Sequence, residues 1–135
     1  MKHIALALVC TLALVGCKTN DIRANAYKAF AGYVVAEETA AAIVTDKTVP
    51  AAVVVKIQAA VKVTAPVAEA MYKDLVRYAA LQDELKAIKD VGGTASVIKM
   101  EQFNAALAAL KDSYALSGDA IAKLIEVVAN AKKGR

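Results

Sequence analysis

The chain has 135 residues, of which 59% are hydrophobic, and 17 Lys and Arg against 13 Asp and Glu give a formal net charge of +4. This length predicts a single domain rather than several. Basic and acidic residues alternate along the sequence instead of clustering, which disfavours a nucleic-acid-binding surface.

The first 16 residues have the three-part form of a secretory signal. A basic start, Met1-Lys2-His3, is followed by an apolar run from Ile4 to Val15 and then by small residues. A membrane-spanning helix needs about 20 apolar residues, and this run is shorter. We therefore predict that residues 1–16 are a cleaved signal peptide.

The residues at the cut, Leu14-Val15-Gly16-Cys17, resemble the lipobox of bacterial lipoproteins, a class that phages and prophages also encode. The resemblance implies cleavage between Gly16 and Cys17, a diacylglycerol on the Cys17 thiol and an acyl chain, such as palmitate, on the new amino group. It also implies a place in the cell envelope. Because Lys18, not aspartate, follows the cysteine, the implied destination is the outer membrane, facing the periplasm. The alternative is an ordinary cleaved signal followed by an incidental cysteine.

Cleavage removes His3 and Cys10 and leaves 119 residues with a net charge near +3. The mature chain then has no histidine and no free cysteine, so zinc and redox-metal sites are not expected. No disulfide is available either. Serines lack a histidine to activate them, and adjacent carboxylates on a helix diverge. We therefore expect no cofactor, no metal and no enzyme activity.

Apolar residues spaced alternately by four and three predict helices throughout. Residues 17–19 are read as a lipidated tether, and the first helix should run from about 20 to 45 with Asn20 as its N-cap. The next segment should begin at Thr48-Val49-Pro50, with Thr48 as cap and Pro50 in the first turn. It should continue to about residue 90, where Gly92-Gly93 ends it.

Pro66 lies inside this second segment, which predicts either a kink or a break with a new cap. The β-branched residues from Val53 to Val55 could form a strand, but neighbouring alanines favour helix. Because residues 49–63 are apolar nearly all round, we expect them at the middle of the bundle. Thr94 or Ser96 should cap the last helix, which should continue through a bend at Ser117-Gly118 to its carboxyl-terminal lysines.

The predicted fold is all-α: an antiparallel bundle of three long helical segments, forming one domain from residue 20 to 135. Glu37 and Asp74 fall on the apolar seams, so each should be partly exposed or paired with one of a set of basic side chains, namely Lys56, Lys73, Arg77 and Lys111. The unequal helix lengths predict a change of direction within residues 62–68. A straight second segment would instead carry the Gly92-Gly93 tip past residue 20 toward the membrane surface, unless the bundle lies tilted on its tether.

The function expected from these features is that of a non-enzymatic, lipid-anchored envelope protein with a structural or protein-binding role. Its partners would be the membrane, through Cys17, and a protein; the oligomeric state stays open. The alternative is a superinfection-exclusion or immunity lipoprotein that binds an incoming protein. An enzyme or small-ligand carrier would need a polar cavity. The aromatic residues Tyr27, Phe30 and Tyr33 could form a ligand patch, although core packing is favoured.

Overall fold

The computed structural model describes residues 21–88 and 93–134, and three helices make up most of these ranges: α1 (Ile22–Thr45), α2 (Ala51–Ala87) and α3 (Thr94–Lys133). No strand occurs among these residues. Arg23, near the beginning of α1, contacts Gln82, near the end of α2. Along α2, Thr64 contacts Ala120 of α3 and the later Met71 contacts the earlier Ser117, so successive helices are antiparallel. The predicted all-α, three-helix bundle is confirmed.

The predicted helix caps are wrong at two places. Thr48 belongs to the turn before α2, because its N–H and its hydroxyl both donate to the Asp46 carboxylate, at 2.9 and 2.7 Å. Pro50 takes the N-cap position of α2 instead. Gly93, not Thr94 or Ser96, occupies the N-cap of α3, with no side-chain hydrogen bond. Side chains that bond locally within a turn are not free to cap the next helix.

The second helix is continuous through Pro66 and ends at Ala87, before the predicted end near residue 90. The alternative of a break with a new cap at Pro66 is therefore wrong, while the change of direction within residues 62–68 stays a prediction. The residues from Val53 to Val55 are helical, as expected. The last helix likewise passes through Gly118 without interruption and ends at Lys133.

The core lies along the axis shared by the three helices. Its largest fully buried side chains are Ile43, Ile57, Met71, Leu75, Leu110 and Leu124, together with the polar Thr64 and Ser117. The Thr64 hydroxyl donates to the carbonyl oxygens of Ala60 and Ala120, at 2.8 and 3.1 Å. The Ser117 hydroxyl lies 3.0 Å from the Met71 sulfur. These contacts set the level of α2 against α3.

Residues 49–63 do not lie at the middle of the bundle, and this prediction is wrong. Val55 is 63% exposed and Val63 is 66% exposed, whereas Ile57 between them is fully buried. Each helix of a three-helix bundle contacts the other two on one side only and has its opposite side in solvent. A segment that is apolar all round therefore still has one apolar face outside.

Both carboxylates on the seams are half-buried, so their predicted partial exposure is confirmed. Glu37 accepts a hydrogen bond from the Tyr33 hydroxyl at 2.9 Å. Within residues 21–88 and 93–134 the two ion pairs are Arg23–Asp83 and Lys99–Glu84. Neither pair includes a basic residue predicted to partner Glu37 or Asp74.

Candidate functional site at the amino-terminal end of the bundle

Helix α1 begins at Ile22 with a well-formed cap at Asp21, four residues after Cys17. The Asp21 carboxylate accepts hydrogen bonds from the backbone N–H groups of Arg23 and Ala24, at 3.1 and 3.3 Å. A carboxylate here satisfies donors that the first turn leaves unpaired and interacts favourably with the helix dipole. Asp21 is therefore the cap, not Asn20. The predicted cap, Asn20, lies outside the described residues.

Arg23 fastens the start of α1 to the end of α2. Its guanidinium donates to the Gln82 side-chain oxygen at 2.8 Å and to the Asp83 carboxylate at 3.2 Å. The hydrogen bond to Asp83 raises the pKa of Arg23 above its ordinary value, at which the guanidinium is already a cation at physiological pH. The position where the chain enters the bundle is thus held by a charge-assisted contact.

This contact also shows which helices extend past α1. Helix α2 continues from Gln82 to Ala87, and α3 begins beyond it at Thr94. The end of α2 and the start of α3 therefore project past the start of α1. An overhang in this direction is what a straight second segment would give, and whether a bend in residues 62–68 reduces it stays a prediction; Gly92 lies outside the described residues.

The aromatic residues of α1 divide between core and surface. Tyr33 is buried, and burial together with its hydrogen bond to Glu37 raises the pKa of the phenol to about 12. Phe30 stacks on Tyr72 of α2 with ring centroids 4.4 Å apart. Tyr27 is 44% exposed. Core packing is confirmed for Tyr33, whereas Tyr27 lies outside the core.

Sequence reasoning missed the partners of these side chains. Tyr72 falls beside the apolar seam of α2, and the Arg23 contacts depend on residues about 60 positions away in the chain. No periodic pattern contains such a pairing. The Tyr33–Glu37 hydrogen bond was detectable in principle, because residues four apart on a helix are neighbours.

The predicted lipid-attachment residue, Cys17, and the cleavage residue, Gly16, lie outside the described residues. Cys17 is four residues before Asp21 in the sequence, and four residues of extended chain cover at most about 14 Å. A lipid on Cys17 would accordingly hold the end of the bundle that carries Asp21 and Arg23 close to a membrane surface.

Two further properties of the described residues bear on chemistry. No group of three or more His, Cys, Asp or Glu side chains in these ranges could hold a metal ion. Helix α2 is long and apolar enough to cross a membrane by length and composition alone, and a core helix of a bundle can have the same properties.

Comparison of the chain with models of protein families, with curated proteins and with solved structures found no match.

Proposed function

We propose that the chain is a non-enzymatic envelope protein, anchored through a lipid on Cys17 to the periplasmic face of the outer membrane, where its helical bundle has a structural or protein-binding role. The observation that carries this proposal is Leu14-Val15-Gly16-Cys17 directly after a signal-like leader. Three acyl chains would make the attachment stable, since two are already sufficient.

The arrangement of α1 supports the proposal. The capped start of α1 and the Arg23 contacts would fix the orientation of the bundle relative to its anchor. The core residues all lie downstream of Asp21. The bundle should therefore fold without residues 1–20, and the anchor would determine place rather than fold.

The test is the substitution Cys17→Ser in the full-length chain, followed by cell fractionation and labelling with a radioactive fatty acid. We expect loss of label and loss of membrane retention. Cys10→Ser is the matched control, because Cys10 would leave with the leader, and it should retain both. Membrane retention of the Cys17→Ser protein would contradict the anchor.

A second variant tests the destination. In the sorting that the lipobox resemblance implies, aspartate after the cysteine retains a lipoprotein in the inner membrane. Lys18→Asp should therefore move the protein from outer-membrane to inner-membrane fractions on a sucrose gradient. An unchanged distribution would contradict the outer-membrane assignment while leaving the anchor in place.

A further inference from the structure

The side of α2 that points away from the core is apolar and basic. We call this side the α2 outer face; its residues, all exposed, are Ala52, Val55, Ala59, Lys62, Val63, Pro66, Ala70, Lys73 and Arg77. Only 17% of the most apolar 18-residue window of this helix is buried. Lys56 and Glu69 lie at the two edges of the face. Apolar side chains exposed along one side of a helix, with basic residues among them, are a surface on which a partner can pack.

The corresponding side of α3 has the opposite charge. The α3 outer face consists of exposed residues spaced alternately by four and three, namely Glu101, Ala105, Ala108, Asp112, Ala115, Asp119, Ala122 and Glu126. Four are carboxylates and four are alanines. Lys111 and Lys123 lie at the edges. This spacing places the eight residues on one side of the helix, as on a coiled-coil seam.

The charged side chains of these two faces form no ion pair with one another or with other described residues. The ion pairs among residues 21–88 and 93–134 are Arg23–Asp83 and Lys99–Glu84, which involve neither face. The basic groups of one face and the acidic groups of the other are therefore available to a partner. Since both faces belong to the same chain, a second copy supplies the complement of each.

Basic residues of the α2 outer face and acidic residues of the α3 outer face also lie at similar positions along the bundle axis. Thr64 contacts Ala120, and Met71 contacts Ser117, so α2 and α3 run antiparallel at known levels. Counting along the helices from these contacts brings Lys73 level with Asp112. These levels use the mean of the two contacts, which differ by four residues in offset; on it Lys73 and Ala70 lie within one residue of the levels of Asp112 and Ala115. On the same mean Lys62 lies within two residues of the level of Glu126. If the proposed lipid anchor holds every copy at the same distance from the membrane, these residues of neighbouring copies would face each other. This part of the argument rests on the proposed function.

We propose that the protein associates with itself side by side, with the α2 outer face of one copy against the α3 outer face of the next. The alanines of both faces allow close approach of the helices, within the usual 8–10 Å between packed axes. The contact joins two different surfaces and can continue into a row or close into a ring. Pairing of two α2 faces would instead oppose lysines, and a lipid surface would leave the acidic face unused.

Cysteine cross-linking in isolated membranes tests the contact. One full-length chain carries Ala70→Cys and a second carries Ala115→Cys. The two chains are expressed together, and the membranes are treated with a short bismaleimide. We expect a cross-linked dimer from this pair. Ala31→Cys, on the exposed side of α1, with Ala115→Cys is the matched control and should give about tenfold less. A dimer from Ala70→Cys alone would overturn the proposal in favour of like-face pairing.

Charge exchange supplies a second, independent readout. Lys62→Glu with Lys73→Glu should lower the cross-linked yield about tenfold, because attractions between exposed charges become repulsions. Asp112→Lys with Glu126→Lys should do the same. A chain with Lys62→Glu and Lys73→Glu has an acidic α2 outer face, and a chain with Asp112→Lys and Glu126→Lys has a basic α3 outer face. Expressing these two chains together should restore the cross-linked dimer, because these two faces again carry opposite charges. If mixing restores nothing, the proposal is wrong.

The unsubstituted chain separates failure of this inference from failure of the anchor. A lipidated Cys17 offers no thiol, so the unsubstituted protein should not react with the bismaleimide. Reaction there would refute the anchor, and the experiment would then be repeated in the Cys17→Ser background. An unreactive, membrane-bound protein whose engineered pair fails to cross-link would refute the association alone.

Discussion

The burial of two neighbouring residues of α2, Ile57 and Val55, leads to a sharp prediction about stability. Ile57 is fully buried and Val55 is 63% exposed. Ile57→Ala removes three carbon atoms from the core, worth about 2.4 kcal/mol at about 0.8 kcal/mol per methylene. The cavity left behind raises the expected loss to about 3–4 kcal/mol.

Val55→Ala should have almost no effect. It removes two carbon atoms of which about one-third of the surface is buried, which is worth about 0.6 kcal/mol. Alanine is a better helix former than valine by about 0.5 kcal/mol, and this gain nearly cancels the loss. The two substitutions therefore differ by about 3 kcal/mol although they lie two positions apart.

The assay is urea unfolding of the chain beginning at Lys18, followed by circular dichroism at 222 nm. The dependence of unfolding free energy on urea should keep the same slope in both variants, so that the midpoints report stability. A loss above about 1.5 kcal/mol for Val55→Ala would mean that α2 is enclosed on all sides. That result would refute both the observed burial and the α2 outer face.

Three other perturbations follow from the structure. Pro66→Ala should stabilise the bundle by up to about 3 kcal/mol and straighten α2, because it restores the hydrogen bond to the Lys62 carbonyl oxygen and loses no core contact; an unchanged unfolding midpoint would contradict this. The pKa of Tyr33, about 12 against 10.0 ordinarily, means that the folded chain holds the phenol proton more tightly. The free energy of unfolding should therefore fall between about pH 10 and pH 12, by at most about 2–3 kcal/mol, and Tyr33→Phe should flatten that part of the profile. Arg23→Ala should leave the urea midpoint nearly unchanged, because Asp83 is largely exposed and solvent screens the pair, yet should speed amide exchange in the first turn of α1; unchanged exchange there would show that Arg23 does not hold the helix end.

Much of the fold follows from local sequence. The four-and-three spacing of apolar residues, the high alanine content and the polar turn around Asp46 are sufficient to predict three helices and their order. These signals act over a few residues, so they can be recognised without knowing the rest of the structure. The anchor prediction has the same local character, since it depends on four consecutive residues ending at Cys17.

Tertiary structure decided which of several similar apolar faces is buried. In α2, Val55 and Ile57 are both β-branched, and only the packing of α1 and α3 leaves one in solvent and the other in the core. The pairing of Arg23 with Gln82 and Asp83, and the level at which Thr64 meets Ala120, likewise depend on contacts between helices distant in sequence. The physical reason is that helix formation is local, whereas the choice of a core face depends on the combined packing of all three helices.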